Sequence, residues 1–97
     1  MKRPPMTETI HKTVIIKHKF GIHARPAAKI ASLSQTFASD IQILKSGEPP
    51  ANAKNILDIM MLAAASGVKL EIKAKGPDAR SAIDQLGLML ESDFEVD

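Results

Sequence analysis

The 97-residue sequence contains no cysteine. That excludes disulfide frameworks, thiolate metal sites and cysteine nucleophiles, and it accords with a reducing compartment. Tryptophan and tyrosine are absent too, which leaves three phenylalanines as the whole aromatic complement. The basic residues Lys12, Lys17, Lys19, Lys69, Lys73 and Lys75 are scattered, and the formal charge is only +2. With so few rings to stack on bases and no basic cluster, no nucleic-acid partner is expected. No apolar run approaches the roughly 18 to 20 residues of a membrane span. The opening MKRPPM lacks the apolar block of a secretory signal. No membrane insertion and a cytoplasmic location are therefore expected.

What is present suits one domain, because 97 residues with 44% hydrophobic content can build a single core without staples. Residues 1–8 are expected to form a flexible N-terminal extension, residues 9–91 the domain, and residues 92–97 an acidic tail.

Hydrophobic periodicity separates the elements. Over residues 10–17 (IHKTVIIK), Ile10, Lys12, Val14 and Ile16 share one parity, which predicts a strand with one face largely buried. Ile41 and Ile43 begin a second strand after Asp40, and Val68, Leu70, Ile72 and Ala74 alternate strictly with lysines and Glu71 in a third. The turn Ser46-Gly47-Glu48-Pro49-Pro50 leads to a very short edge strand. Helical spacing appears over residues 24–37, where Pro26, Ile30, Leu33 and Phe37 line one side, and over residues 79–90. Gly76-Pro77-Asp78 supplies a turn and a capping aspartate before that last helix. Residues 56–65 (ILDIMMLAAA) read as a helix that is apolar all round except at Asp58. The order β-α-β-β-α-β-α, with one polar strand face, predicts an α+β open-faced sandwich: a four-stranded antiparallel sheet with three helices on one face.

The chemistry concentrates in Gly21-Ile22-His23-Ala24-Arg25-Pro26-Ala27, where the first strand hands over to the first helix. His23 is expected at the N-cap, with the amides of Ala24 and Arg25 directed at whatever the imidazole carries. Pro26 lacks an amide and its fixed φ suits a first turn. A nucleophilic nitrogen, a helix N-terminus and a guanidinium are parts for handling phosphate. A neutral imidazole can attack a phosphoryl group in line and hold it as a labile phosphoramidate, so a carrier is expected rather than an autonomous enzyme. The bland alternative is a histidine that caps a helix beside a surface arginine.

Other constellations are missing. No nucleotide loop, HExxH segment, nucleophile elbow or paired-carboxylate site is evident, and no cofactor is expected. His11 and His18 stand seven residues apart, which puts them on opposite faces of an extended strand. They are expected to be solvated at the surface, and no metal site is expected.

The string Gly21-Ile22-His23-Ala24-Arg25-Pro26-Ala27-Ala28 closely resembles the active-site segment of HPr, the histidine phosphocarrier family of the bacterial phosphoenolpyruvate-dependent phosphotransferase system. The resemblance extends from about Thr9 to Leu90 and includes Ala53-Lys54-Asn55-Ile56-Leu57, Met60, Met61, Leu62 and Gly67. It implies an open-faced sandwich, His23 as phosphoacceptor at Nδ1, and a phosphate held by Arg25 and the backbone amides of Ala24 and Arg25. It also implies a partner-binding surface of Ala28, Ile56, Leu57 and Met60, a monomer, and two transient partners. Enzyme I would donate the phosphoryl group and a IIA domain would receive it, in sugar uptake or its regulation.

Two departures carry meaning. Asn55 stands where many family members have a serine phosphorylated by a regulatory kinase; asparagine keeps the capping role and cannot accept phosphate. Phe20 precedes Gly21 where sugar-type members often carry a small polar residue, which is more similar to the nitrogen-related branch called NPr, as are Gly76-Pro77 and Phe94 with its acidic neighbours. The alternatives are therefore a nitrogen-type regulatory carrier, or a non-carrier binding module in which His23 merely caps a helix. A small RNA-binding domain ranks last.

Overall fold

The computed structural model describes residues 8–92. The expected extension and acidic tail, including Phe94, fall almost wholly outside those residues; strand β1 already begins at Glu8. The order is β1 (Glu8–Ile15), α1 (Ala24–Gln35), β2 (Asp40–Leu44), β3 (Ala51–Asn52), α2 (Ile56–Met61), β4 (Lys69–Gly76) and α3 (Ala79–Glu91). The four strands form one antiparallel sheet in the order β1-β4-β2-β3. The three helices cover one of its faces, which is the open-faced sandwich the periodicity predicts.

The alternation along β4 explains its central place. Leu70, Ile72 and Ala74 are buried toward the helices, while Lys73 and Lys75 pair in register with Gln42 and Asp40 on the other face. Ile41, Ile43, Val14 and Ile16 complete the sheet's inner layer, and Ile30, Ile59, Leu86 and Leu90 close it from the helices. Each such side chain contributes roughly 1.5–3 kcal/mol on full burial. Lys12, on the inward parity of β1, keeps its ammonium exposed because its stem crosses α3 at Gly87. A Cβ on that glycine would fall 3.0 Å from Lys12 Cδ.

Three expectations about the elements need correction. Helix α1 stops at Gln35, so Phe37 is buried from the following turn instead of from the helix. Helix α2 stops at Met61, and residues 62–65 are not helical. Ala63 adopts φ +50°, and Lys45 Nζ donates to the Leu62 carbonyl at 2.9 Å, placing a cation on the helix C-terminus. Leu62 and Ala64 are buried because the chain turns back across the core. Asp78 holds the N-cap position of α3 but makes no side-chain cap. Its carboxylate instead accepts from the Ala38 amide (2.8 Å), the Ser39 amide (2.9 Å) and the Ser39 hydroxyl (2.5 Å). Gly76 makes this latch possible, since at φ +148° a Cβ would sit 2.7 Å from Ser39 Cα.

Candidate functional site around His23

The segment between β1 and α1 is built by backbone bonds before any side chain acts. Ile16 exchanges bonds with the segment that leads into β4: its amide donates to the Val68 carbonyl (3.0 Å) and its carbonyl accepts from Gly67 (2.8 Å). A tight turn follows, closed by the Gly21 amide on the His18 carbonyl at 2.9 Å. Gly21 has φ +72°, and a Cβ there would overlap the Ala64 carbonyl oxygen and lie 2.9 Å from Ala65 Cα. Only glycine lets the backbone pass this close to the segment after α2. The next amide, Ile22, donates to that same Ala64 carbonyl at 2.8 Å.

The chain is thus delivered to His23 in an extended conformation, φ −116° and ψ −165°, at the N-cap of α1. The first intrahelical bond runs from the Ala27 amide to the His23 carbonyl at 2.9 Å. Ala24 and Arg25 therefore open the helix ahead of that bond, and both are exposed. Pro26 is buried at the third helical position, where it has no amide to satisfy. The His23 side chain is exposed and makes no capping hydrogen bond. Its imidazole is not spent on the helix.

His18 overturns the expectation of a solvated histidine. Strand β1 ends at Ile15, so His18 lies beyond it in the turn, and the residue is only 5% exposed. Its Nδ1 accepts the Phe20 amide at 3.2 Å. The ring centroids of His18 and His23 are 5.5 Å apart at 60°, a tilted arrangement of the kind aromatic rings favour. The His18 and Phe20 ring centroids are 5.8 Å apart, and Lys19 Nζ stands 5.1 Å from the Phe20 centroid. Nothing in the residue spacing distinguishes this histidine, because its burial depends on the turn. His11 lies elsewhere, exposed on β1, with Nδ1 2.6 Å from Glu71 Oε2. Among the described residues no group of three metal-ligating side chains gathers.

Beside α1, helix α2 packs with its first turn capped by Asn55, whose side chain accepts from the Asp58 amide at 3.1 Å. Asp58 in turn accepts from the Asn52 amide at 3.1 Å, which ties the edge strand to the helix. Ile59 is buried, whereas Ile56, Leu57 and Met60 are exposed, Leu57 by 66%. Ala28 is exposed one turn into α1. Two further apolar residues join the exposed set, Met61 at 79% and Phe20 at 71%. Sequence patterning could not isolate Met61, because an all-apolar segment does not reveal which side the core takes. Among the described residues no helix is long and apolar enough to cross a membrane.

Comparison with known proteins adds a family to this geometry. The model of the PTS HPr component phosphorylation site matches residues 10–92. The chain is 35% identical over 89 residues to the phosphocarrier protein NPr of Proteus mirabilis, covering 92% of this chain and 99% of that protein. It is 36% identical over 84 residues to the phosphocarrier protein HPr of Treponema pallidum, covering 87% and 94%. The crystal structure of a phosphocarrier protein HPr from Bacillus anthracis superposes with a TM-score of 0.80 at 36% identity, covering 84% of this chain and 96% of that one.

Proposed function

This chain belongs to the HPr family of phosphotransferase-system phosphocarriers, and from that premise we propose that His23 is its phosphoacceptor. The observation that carries the proposal is an exposed imidazole at a helix N-cap that makes no cap of its own. Nδ1 attacks the donor's phosphorus in line; the new P–N bond forms as the bond to the donor breaks. The helix N-terminus carries about half a positive charge, which favours an anion there. The Ala24 and Arg25 amides and the Arg25 guanidinium stabilise the phosphoryl oxygens. No general base is needed, since a neutral imidazole already offers its lone pair.

Enzyme I supplies the phosphoryl group and a IIA domain takes it, both docking on Ala28, Ile56, Leu57 and Met60. An exposed apolar patch on a small domain marks such a surface, and methionine adapts to more than one partner. The protein works as a cytoplasmic monomer, in sugar uptake or its regulation. Asn55 caps α2 without a phosphorylatable hydroxyl, so no kinase acts at that position. A nitrogen-type carrier is the second reading, favoured by the exposed Phe20 three residues before His23; identity to the HPr and NPr relatives is too alike to separate the two.

The test is incubation with enzyme I and labelled phosphoenolpyruvate, following acid-labile, base-stable phosphate. Label on the wild type and none on a folded His23→Ala variant is the expected result. Equal labelling of both, or none on either, overturns the assignment, and retained partner affinity in an unlabelled wild type would point to a binding module.

A further inference from the structure

The turn before α1 holds a buried histidine that the phosphocarrier chemistry does not use. His18 closes that turn twice, its carbonyl accepting from Gly21 at 2.9 Å and its Nδ1 from Phe20 at 3.2 Å. A ring nitrogen that accepts an amide proton carries none itself, so the Phe20 contact fixes the neutral ring as the Nε2–H tautomer. The Nδ1 bond restrains rotation of the ring about Cβ–Cγ, and the carbonyl bond holds the backbone that carries it. Burial to 5% exposure leaves the ring little room to reorient. The exposed ring of His23 then lies 5.5 Å away at 60°. His23 makes no capping bond that could hold its own side chain. The geometry points to His18 as a positioning residue: its locked, buried ring is the wall that selects the His23 rotamer competent for phosphoryl uptake and release.

This inference rests on the phosphocarrier reading for its consequence, though not for its geometry. A rotamer restriction matters to transfer because in-line attack demands alignment, and misplacement by about 1 Å can cost a hundredfold in rate. The exposed side of the site is open to both donor and acceptor, so a preset imidazole serves both directions of transfer alike.

Three substitutions separate the contributions. His18→Asn keeps a side-chain acceptor for the amide two residues on, as asparagine does in turns, and loses the ring. His18→Phe keeps a ring and loses the acceptor. His18→Ala loses both. Two readouts are taken on each variant whose unfolding midpoint stays well above the assay temperature. The first is the rate of labelling from enzyme I and phosphoenolpyruvate; the second is the His23 χ1 populations from three-bond couplings in the unphosphorylated protein. We expect a single dominant rotamer in the wild type and averaged couplings in His18→Ala, with labelling slowed about tenfold, as modest misalignment would give. His18→Asn and His18→Phe should fall between. Unchanged couplings and wild-type labelling in His18→Ala overturn the inference, as does slowing that follows loss of folded protein with the couplings intact. A wild type that takes no label overturns the phosphocarrier reading instead, and the couplings still decide whether His18 positions His23.

Discussion

The Ile22 amide donates to the Ala64 carbonyl at 2.8 Å, joining the residue before His23 to the segment that leaves α2. Through that bond His23 and the exposed apolar side of α2 share one support. Gly21 permits the approach, and it yields the first prediction. Gly21→Ala places a side chain at φ +72° and onto the Ala64 carbonyl. The left-handed conformation alone costs roughly 1–2 kcal/mol, and the overlap adds to it by displacing the segment. Urea denaturation should show the loss, and labelling from enzyme I should fall further than the folded fraction does. A variant with wild-type stability would mean that the 63–65 segment yields freely.

Leu57→Glu and Met60→Glu place charge on the exposed side of α2 without touching the buried Ile59. Each should raise the apparent KM for phospho-enzyme I about tenfold, equivalent to about 1.4 kcal/mol, while the unfolding midpoint changes little. The measurement is steady-state labelling at varied carrier concentration. An unchanged KM for both would remove α2 from the docking surface.

The Asp78 latch makes stability depend on acid. The Ser39 hydroxyl, and after it the Ala38 amide, holds the Asp78 carboxyl below the ordinary aspartate range. A group lowered on folding stabilises above the pH of about 4 at which an unfolded aspartate titrates. That contribution is lost as pH falls through the lower native value. Asp78→Asn should therefore melt earlier than the wild type at pH 7, and the gap should shrink as pH approaches 3. A gap of equal size at both pH values would show that the carboxylate's charge is immaterial.

Ser34 is fully buried in α1, and its hydroxyl has no hydrogen-bond partner among the described residues. Removing a buried unpaired hydroxyl is neutral to favourable, and alanine is the better helix former by about half a kcal/mol. Ser34→Ala should raise the unfolding midpoint by a few degrees, on the scale of roughly 4–8 °C per kcal/mol for domains of this size. A fall in the midpoint would show that the hydroxyl is satisfied in solution.

Much of this architecture was legible because period and punctuation agreed. Strict alternation marked β4, and the stripe from Ala79 to Leu90 marked α3. The Gly-x-His-x-Arg-Pro string marked the N-terminus of α1. What escaped was whatever depends on a contact across the chain. The all-apolar segment 56–65 read as one helix, since Leu62 and Ala64 look helical until the Lys45 ammonium and the Ile22 amide claim their carbonyls. Asp78 read as a cap, since its real partners, Ala38 and Ser39, lie forty residues upstream. His18 read as a surface residue because its burial comes from a turn, where neither strand nor helix period applies.

The order of the strands in the sheet also bears on how the chain is made. Strand β4 is the last to be synthesised, yet it lies between β1 and β2 and pairs with both. Until it emerges, β1 has no partner and β2 has only the two-residue edge strand. At synthesis rates of about 5–20 residues per second, the apolar faces of β1 and α1 wait for seconds beside a growing chain. The segment leading to His23 is anchored at Ile16 by bonds to Gly67 and Val68, so the His23 loop is among the later parts to settle. A nascent chain stalled before residue 68 should be cut readily by protease throughout, and one stalled with residues 69–92 clear of the ribosome should resist as a unit.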